Sequence, residues 1–182
     1  MKYLIFKKFK SNKGFTLAEL LVALFCFGLL MSTIGAIAIT ISQGQRRAYI
    51  SQAVQDETRY IMEMMSKEIR MAKIDDASDP LRLQITNSRG DKVVYQLCSI
   101  EGNLRRRDTT SIACSDISGD KYNLNSSKIK LLGNFYVMDN AGLRPPRITI
   151  SIQAESSDPK YADSSRIYLQ MTISSRDYKG KL

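Results

Sequence analysis

The pattern of apolar and polar positions divides the chain into four stretches. Residues 1–14 are polar and basic, with Lys2, Lys7, Lys8, Lys10 and Lys13 and no acid. From Phe15 to Ile41 a single charged side chain, Glu19, interrupts an otherwise uncharged run. A helix needs about 20 apolar residues to cross the hydrocarbon layer of a bilayer, so residues 15–41 are predicted to span one.

Residues 42–75 turn polar but keep a helical period. Ile50, Val54, Ile61, Met65, Ile69 and Ala72 follow one another at helical spacings and form one apolar stripe. Arg46, Arg47, Asp56, Glu57, Arg59, Glu63, Lys67 and Glu68 supply the polar side. Met62, Met64, Met65 and Met71 make this stretch methionine-rich and are expected to pack in the core. No proline or glycine falls between Gln45 and Pro80, so the two stretches read as one helix over 15–73, ~88 Å long at 1.5 Å per residue. Asp75-Asp76-Ala77-Ser78-Asp79-Pro80 is loop chemistry and is expected to end it.

Residues 76–182 alternate with period two. Leu81, Leu83 and Ile85 form one predicted strand, and Val93 to Cys98 the next, across a turn at Asn87–Asp91. Glu101-Gly102-Asn103 turns into Leu104–Arg107. Lys128–Leu132 and Phe135–Met138 are predicted strands with Gly133-Asn134 between them, followed by a turn at Asp139–Gly142. Arg147 to Ala154 and Ile167 to Ile173 alternate cleanly. An antiparallel sheet with one apolar face needs a cover, and the stripe of residues 50–72 is available. The fold class is therefore α+β: a long N-terminal helix, half membrane-spanning and half amphipathic, packed on an antiparallel head.

Glu19 is the chemical anomaly. A carboxylate at the start of a membrane span is costly unless something pairs with it. One local solution is a capping box: Thr16-x-x-Glu19 lets both side chains satisfy amides at a helix start, where the dipole also favours an acid.

The stretch Lys13-Gly14-Phe15-Thr16-Leu17-Ala18-Glu19-Leu20-Leu21 resembles the prepilin signature of type IV pilins and of the pseudopilins of type II secretion. The resemblance implies that a membrane prepilin peptidase cuts after Gly14 and methylates the new amino terminus at Phe15. It implies that Glu19 pairs with the terminal amine of a neighbouring subunit during assembly. The recognition residues are Lys13, Gly14, Phe15, Thr16, Leu17 and Glu19. The order of parts is similar to the J-type minor pseudopilins and the W-type minor pilins. Val94-Tyr95-Gln96-Leu97 with Gly102-Asn103-Leu104-Arg105-Arg106 is similar to their first hairpin, and Met64–Arg70 to the end of their spine helix. The absence of a proline near Ala36 fits a minor subunit better than a major one. Two alternatives compete with this. Ala36-Ile37-Ala38 matches the cleavage pattern of a secretory signal, although the apolar stretch before it exceeds the ~7–15 residues of such signals. A plain signal anchor, with the head simply exported, keeps the topology and lacks the assembly chemistry.

Composition narrows the function further. A chain of 182 residues accommodates one modest domain beyond the anchor. Five of the lysines behind the formal charge of +9 precede Gly14, so processing removes more than half of it. Those lysines read as a positive-inside signal, placing the leader in the cytoplasm and the head in the periplasm or outside, on a bacterial inner membrane. The implied partners are the peptidase, other pilin-type subunits and membrane lipid. There is no histidine, which removes the usual general base and any Ser-His-Asp arrangement. No Gly-rich phosphate loop is present, and three cysteines do not make a zinc site. No catalytic residue, metal or cofactor is expected, and the chain reads as a structural subunit rather than an enzyme. Cys98 and Cys114 lie on the exported side, where a disulfide is permitted; closing a loop of about 15 residues contributes about 3 kcal/mol. Arg105-Arg106-Arg107 is either a phosphate-contacting patch, as in a DNA-uptake or adhesion pilin, or a solvated hairpin edge that discourages stray pairing.

Overall fold

The computed structural model describes residues 14–76, 78–108, 114, 122–138 and 145–176. The chain divides into two units, residues 1–44 and 45–182. The basic leader 1–13, including Lys13, the turn expected at Asp139–Gly142, Ala77 and Asp177 lie outside the described residues.

Helix α1 runs from Leu17 to Arg70. Its side chains in the first unit are exposed. Leu20, Leu21, Leu24, Phe25, Leu30 and Ile37 are all more than half exposed. Ser32, Thr33 and Thr40 donate their hydroxyls to the carbonyls of Leu29, Leu30 and Ala36 at 2.8, 2.8 and 2.9 Å. That back-bonding satisfies the hydroxyl donors of those side chains within the helix.

In the second unit the amphipathic part of α1 supplies one wall of the core. Val54, Ile61, Met65, Ile69 and Ala72 of the predicted stripe are buried, joined by Met62. Each large side chain of this kind contributes about 1.5–3 kcal/mol relative to exposure. The methionines divide: Met62 and Met65 are core residues, whereas Met71 is 54% exposed and Met64 half-buried. The expectation that all four pack inside fails because Met64 lies off the buried arc of the helix and Met71 lies just beyond its end.

The helix ends at Arg70, before the predicted boundary. Bonds of the i→i+3 type from the Met71 and Ala72 amides tighten the last turn. Its free carbonyls then meet the far end of the chain. Arg176 N donates to Arg70 O at 2.9 Å, and Ser175 Oγ to Ala72 O at 2.5 Å. Lys73–Asp76, read from sequence as helix end and loop, is instead strand β1.

Two sheets complete the head. The first has the order β1-β2-β3-β4, with β2 Arg82–Thr86, β3 Lys92–Cys98 and β4 Asn103–Arg107, all antiparallel. The β2–β3 turn is built on Asn87, whose Oδ1 accepts from the amides of Arg89 and Asp91 at 2.9 Å each; Gly90 supplies the positive φ of 90°. The second sheet has the order β5-β6-β7, with β5 Ile129–Met138, β6 Arg147–Ser156 and β7 Ile167–Ser174. A short helix α2, Ala162–Ser165, precedes β7.

Gly133-Asn134, expected to separate two strands, lies within the single strand β5. Gly133 pairs with Ile152, and a Cβ there would stand 2.1 Å from Ser151 O. Glycine is present for close backbone approach, not for a turn.

One hydrophobic core joins α1 to both sheets and includes Tyr95, Leu97, Leu104, Phe135, Ile148 and Ile150. Backbone bonds tie β5 to the turns that precede β2 and β4: Phe135 N to Pro80 O at 2.7 Å and Leu131 N to Gly102 O at 2.8 Å. Asn125, 5% exposed, fastens the same junction. Its Oδ1 accepts from Leu104 N at 2.9 Å while its Nδ2 donates to Ile129 O at 2.7 Å and Gly102 O at 3.3 Å.

Candidate assembly site

The residues around Glu19 organise themselves locally. Thr16 precedes the first helical residue, Leu17. Thr16 N and Thr16 Oγ1 both donate to Glu19 Oε2 at 2.9 Å, and Glu19 N donates back to Thr16 Oγ1 at 3.3 Å. This is a closed capping box, satisfying donors that a helix start otherwise leaves open. It fixes the direction of the Glu19 side chain towards the amino end of the helix and engages one carboxylate oxygen. Among the described residues no cation pairs with Glu19.

Gly14 and Phe15 stand just ahead of the box in non-helical chain. Phe15 is 89% exposed, and among the described residues nothing lies within 4 Å of a Cβ built on Gly14. The peptide bond between them is therefore free of tertiary shielding by those residues, the condition a protease needs. Leu17 is likewise exposed. Gly28 and Gly35 have open space around them, and Cys26 is an exposed free thiol.

Among the described residues the head carries no comparable run of apolar exposure. Cys98 and Cys114 are joined by a disulfide with Cα atoms 5.5 Å apart. The three arginines of β4 alternate between faces, as a strand requires. Arg105 is 2% exposed; it meets Glu101 at 2.6 Å, Asn123 Oδ1 at 3.1 Å and Cys114 O at 3.0 Å. Arg107 lies 4.3 Å from the Tyr122 ring centroid. Arg106 projects to the helix side. Its Nε and Nη2 hold Glu68 at 3.0 and 2.7 Å, with Asp108 at 3.0 Å from Nη1. Tyr95 OH donates to the same Glu68 carboxylate. The triplet is thus neither a free phosphate patch nor a solvated edge.

Burial alone would raise the Glu68 carboxyl, but the hydrogen bonds from Arg106 and Tyr95 outweigh it and hold the group below the ordinary carboxylate range. Burial and the neighbouring carboxylate push the Tyr95 hydroxyl up. Sequence spacing could not reveal this cluster, since Glu68 and Arg106 lie 38 residues apart. The strand alternation alone does separate Arg106 from Arg105. Among the described residues no group of three or more His, Cys, Asp or Glu is arranged to hold a metal.

Residues 9–35 match the family described as the prokaryotic N-terminal methylation motif. The match takes in Gly14, Phe15, Thr16, Glu19 and the first part of the apolar run, and covers less than a fifth of the chain. No curated protein and no solved structure matches the chain. The class defined by the fold and the motif is an α+β protein with one N-terminal helix long and apolar enough to cross a membrane, carrying a prepilin-type methylation motif at its start. That motif supports a precursor of the type IV pilin and pseudopilin kind.

Proposed function

We propose that the chain is the precursor of a minor pilin or pseudopilin, a structural subunit that assembles into, or initiates, a type IV pilus or type II secretion pseudopilus. The observation that carries this reading is the closed Thr16–Glu19 box at the head of an exposed apolar helix, inside the matched motif. A prepilin peptidase cuts after Gly14 and methylates the freed amine of Phe15. The box leaves Glu19 Oε1 open, and that oxygen takes the terminal amine of a neighbouring subunit. In lipid an unpaired carboxylate is penalised, so correct axial register between subunits relieves a cost and favours assembly. Apolar packing of residues 15–41 against other subunits or lipid supplies the remaining stability. The head faces the periplasm or the exterior and selects partners. Its order of elements supports the J-type pseudopilin or W-type pilin subclass.

The test is mass spectrometry of the amino terminus after expression in a host carrying a prepilin peptidase. The expected chain starts at Phe15 and is one methyl group heavier. A chain starting at Ile39 would mean cleavage of a secretory signal. An uncut chain starting at Met1 would leave a plain signal anchor, with Glu19 reduced to its helix cap.

A ligand-binding pilin that holds DNA through Arg105–Arg107 finds little support. Arg105 and Arg106 are ion-paired and Arg107 is stacked on Tyr122, so capturing phosphates requires breaking existing contacts.

A further inference from the structure

The end of the head where the chain enters it carries a set of cations. Arg46 and Arg47 begin this unit on α1, and both are exposed. Folding brings two loops from distant sequence alongside. A groove of about 550 Å³ is bordered by Arg46, Tyr49 and Ile50 on the helix, Lys128 ahead of β5, and Ser157 and Asp158 after β6. The Tyr161 ring, 5% exposed, ties the patch together: the Arg46 guanidinium lies 5.6 Å and the Lys160 ammonium 5.5 Å from its centroid.

Two features make this patch unlike the arginines of β4. First, Arg46, Arg47, Lys128 and Lys160 form none of the ion pairs of the described residues, whereas Arg105, Arg106 and Arg166 all do. The two acids of the groove are already engaged: Glu57 accepts from Ser126 N and Oγ, and Asp158 Oδ1 accepts from Lys160 N. Second, Arg46 follows Ile41, the end of the apolar run, by five residues. Five residues reach at most ~18 Å, so whatever path the chain takes, the patch stays close to the surface of any bilayer that residues 15–41 span. Tyr49, 73% exposed, is an amphipathic aromatic of the kind enriched at headgroup level.

We propose that this end of the head is a seat for anionic phospholipid headgroups, with Arg46, Arg47, Lys128 and Lys160 as the contacting cations and Tyr49 beside them at the interface. The proposal rests on the reading of residues 15–41 as a membrane anchor. Its partner is a lipid surface rather than a nucleic acid, because Arg46 follows the apolar run by only five residues and the arginines of β4 are already engaged. Seating holds the head down on the bilayer while the subunit waits, and release from it accompanies extraction into a filament.

The chain contains no tryptophan, so Pro159→Trp, in an exposed turn remote in sequence from the anchor, gives a single indole emitter. The full-length protein would be reconstituted in bilayers of phosphatidylcholine, alone or enriched in phosphatidylglycerol, each doped with a headgroup spin-labelled lipid. Flotation with both kinds of vesicle reports the anchor independently of lipid charge; a chain that fails to float in either overturns the anchor reading and this proposal with it. For the anchored protein, quenching of the introduced indole is expected to be stronger in the anionic bilayer. It should fall when salt is raised, as the Debye length shortens from about 10 Å at 0.1 M. Neutralising Arg46, Arg47, Lys128 and Lys160 to Gln should lower the seated-to-free ratio on the order of fivefold per cation while flotation is unchanged. Equal quenching in the two bilayers overturns the seat. So does a charge dependence that survives neutralisation of all four residues.

Discussion

Glu68→Gln tests how the helix is locked to the first sheet. The native carboxylate uses both oxygens: Oε1 takes Arg106 Nη2 at 2.7 Å, and Oε2 takes Arg106 Nε at 3.0 Å together with the Tyr95 hydroxyl. A glutamine keeps the volume but offers one acceptor and turns an NH2 towards a donor. The Glu68 and Arg106 side chains are 19% and 28% exposed, so neither limiting case applies. A solvent-exposed pair would be worth about 0–1 kcal/mol; breaking a fully buried one costs about 3–5 kcal/mol. Arg106 also retains Asp108, which is itself largely exposed. The expected loss is therefore about 2 kcal/mol, in the range of charge-assisted hydrogen bonds.

The assay is urea unfolding of the full-length protein in detergent micelles, wild type against variant, as a function of pH. The folded Glu68 carboxyl lies below its unfolded value of 4.5. Its contribution is then complete above that pH and is lost as pH falls through the folded value. The gap between wild type and variant should be constant near neutrality and close progressively in acid below pH 4.5. A gap under about 0.5 kcal/mol near neutrality, the size of ordinary surface effects, would refute the lock. So would a gap that does not change on acidification.

Four further outcomes are expected. Gly133→Ala places a Cβ against the Ser151 carbonyl, so the same urea assay should show a loss of about 1–3 kcal/mol, the cost of overpacking. Asn125→Ala leaves the Leu104 amide and the Ile129 carbonyl without this partner at the junction of the sheets, which should cost about 2–3 kcal/mol by the same measure. Replacing Cys98 and Cys114 together by Ser should lower stability by about 3 kcal/mol on the loop-entropy account, matched by reducing the native protein. Glu19→Ala should leave cleavage after Gly14 visible as the same gel shift while filament or tip incorporation falls; normal incorporation would remove the proposed pairing role.

What could be read from the chain was whatever depends on near neighbours. The apolar run of 15–41, charged only at Glu19, is legible as it stands, and the buried stripe Val54–Ile61–Met65–Ile69 and the alternation of β6 follow from periodicity, because solvent sorts side chains by face before any partner is chosen. The Thr16–Glu19 box is equally local, three residues wide, and forms as its spacing implies. The disulfide joins Cys98 and Cys114, 16 positions apart in the chain.

Tertiary structure decided what depends on residues far apart in sequence. Helix α1 stops at Arg70, where the chain returning at Ser175 and Arg176 takes the carbonyls of Arg70 and Ala72 and Lys73–Asp76 finds a partner in β2. Gly133 is strand rather than turn because the Ser151 carbonyl leaves room for no side chain. The three consecutive arginines of β4 share one composition and have three fates: buried among Glu101 and Asn123, locked to Glu68, and stacked on Tyr122. The cations at 46, 128 and 160 come together only when α1, the start of β5 and the loop after β6 meet around one groove and the Tyr161 ring. A desolvated charge must find a partner wherever the fold supplies one, and the position of that partner is set by packing, not by sequence distance.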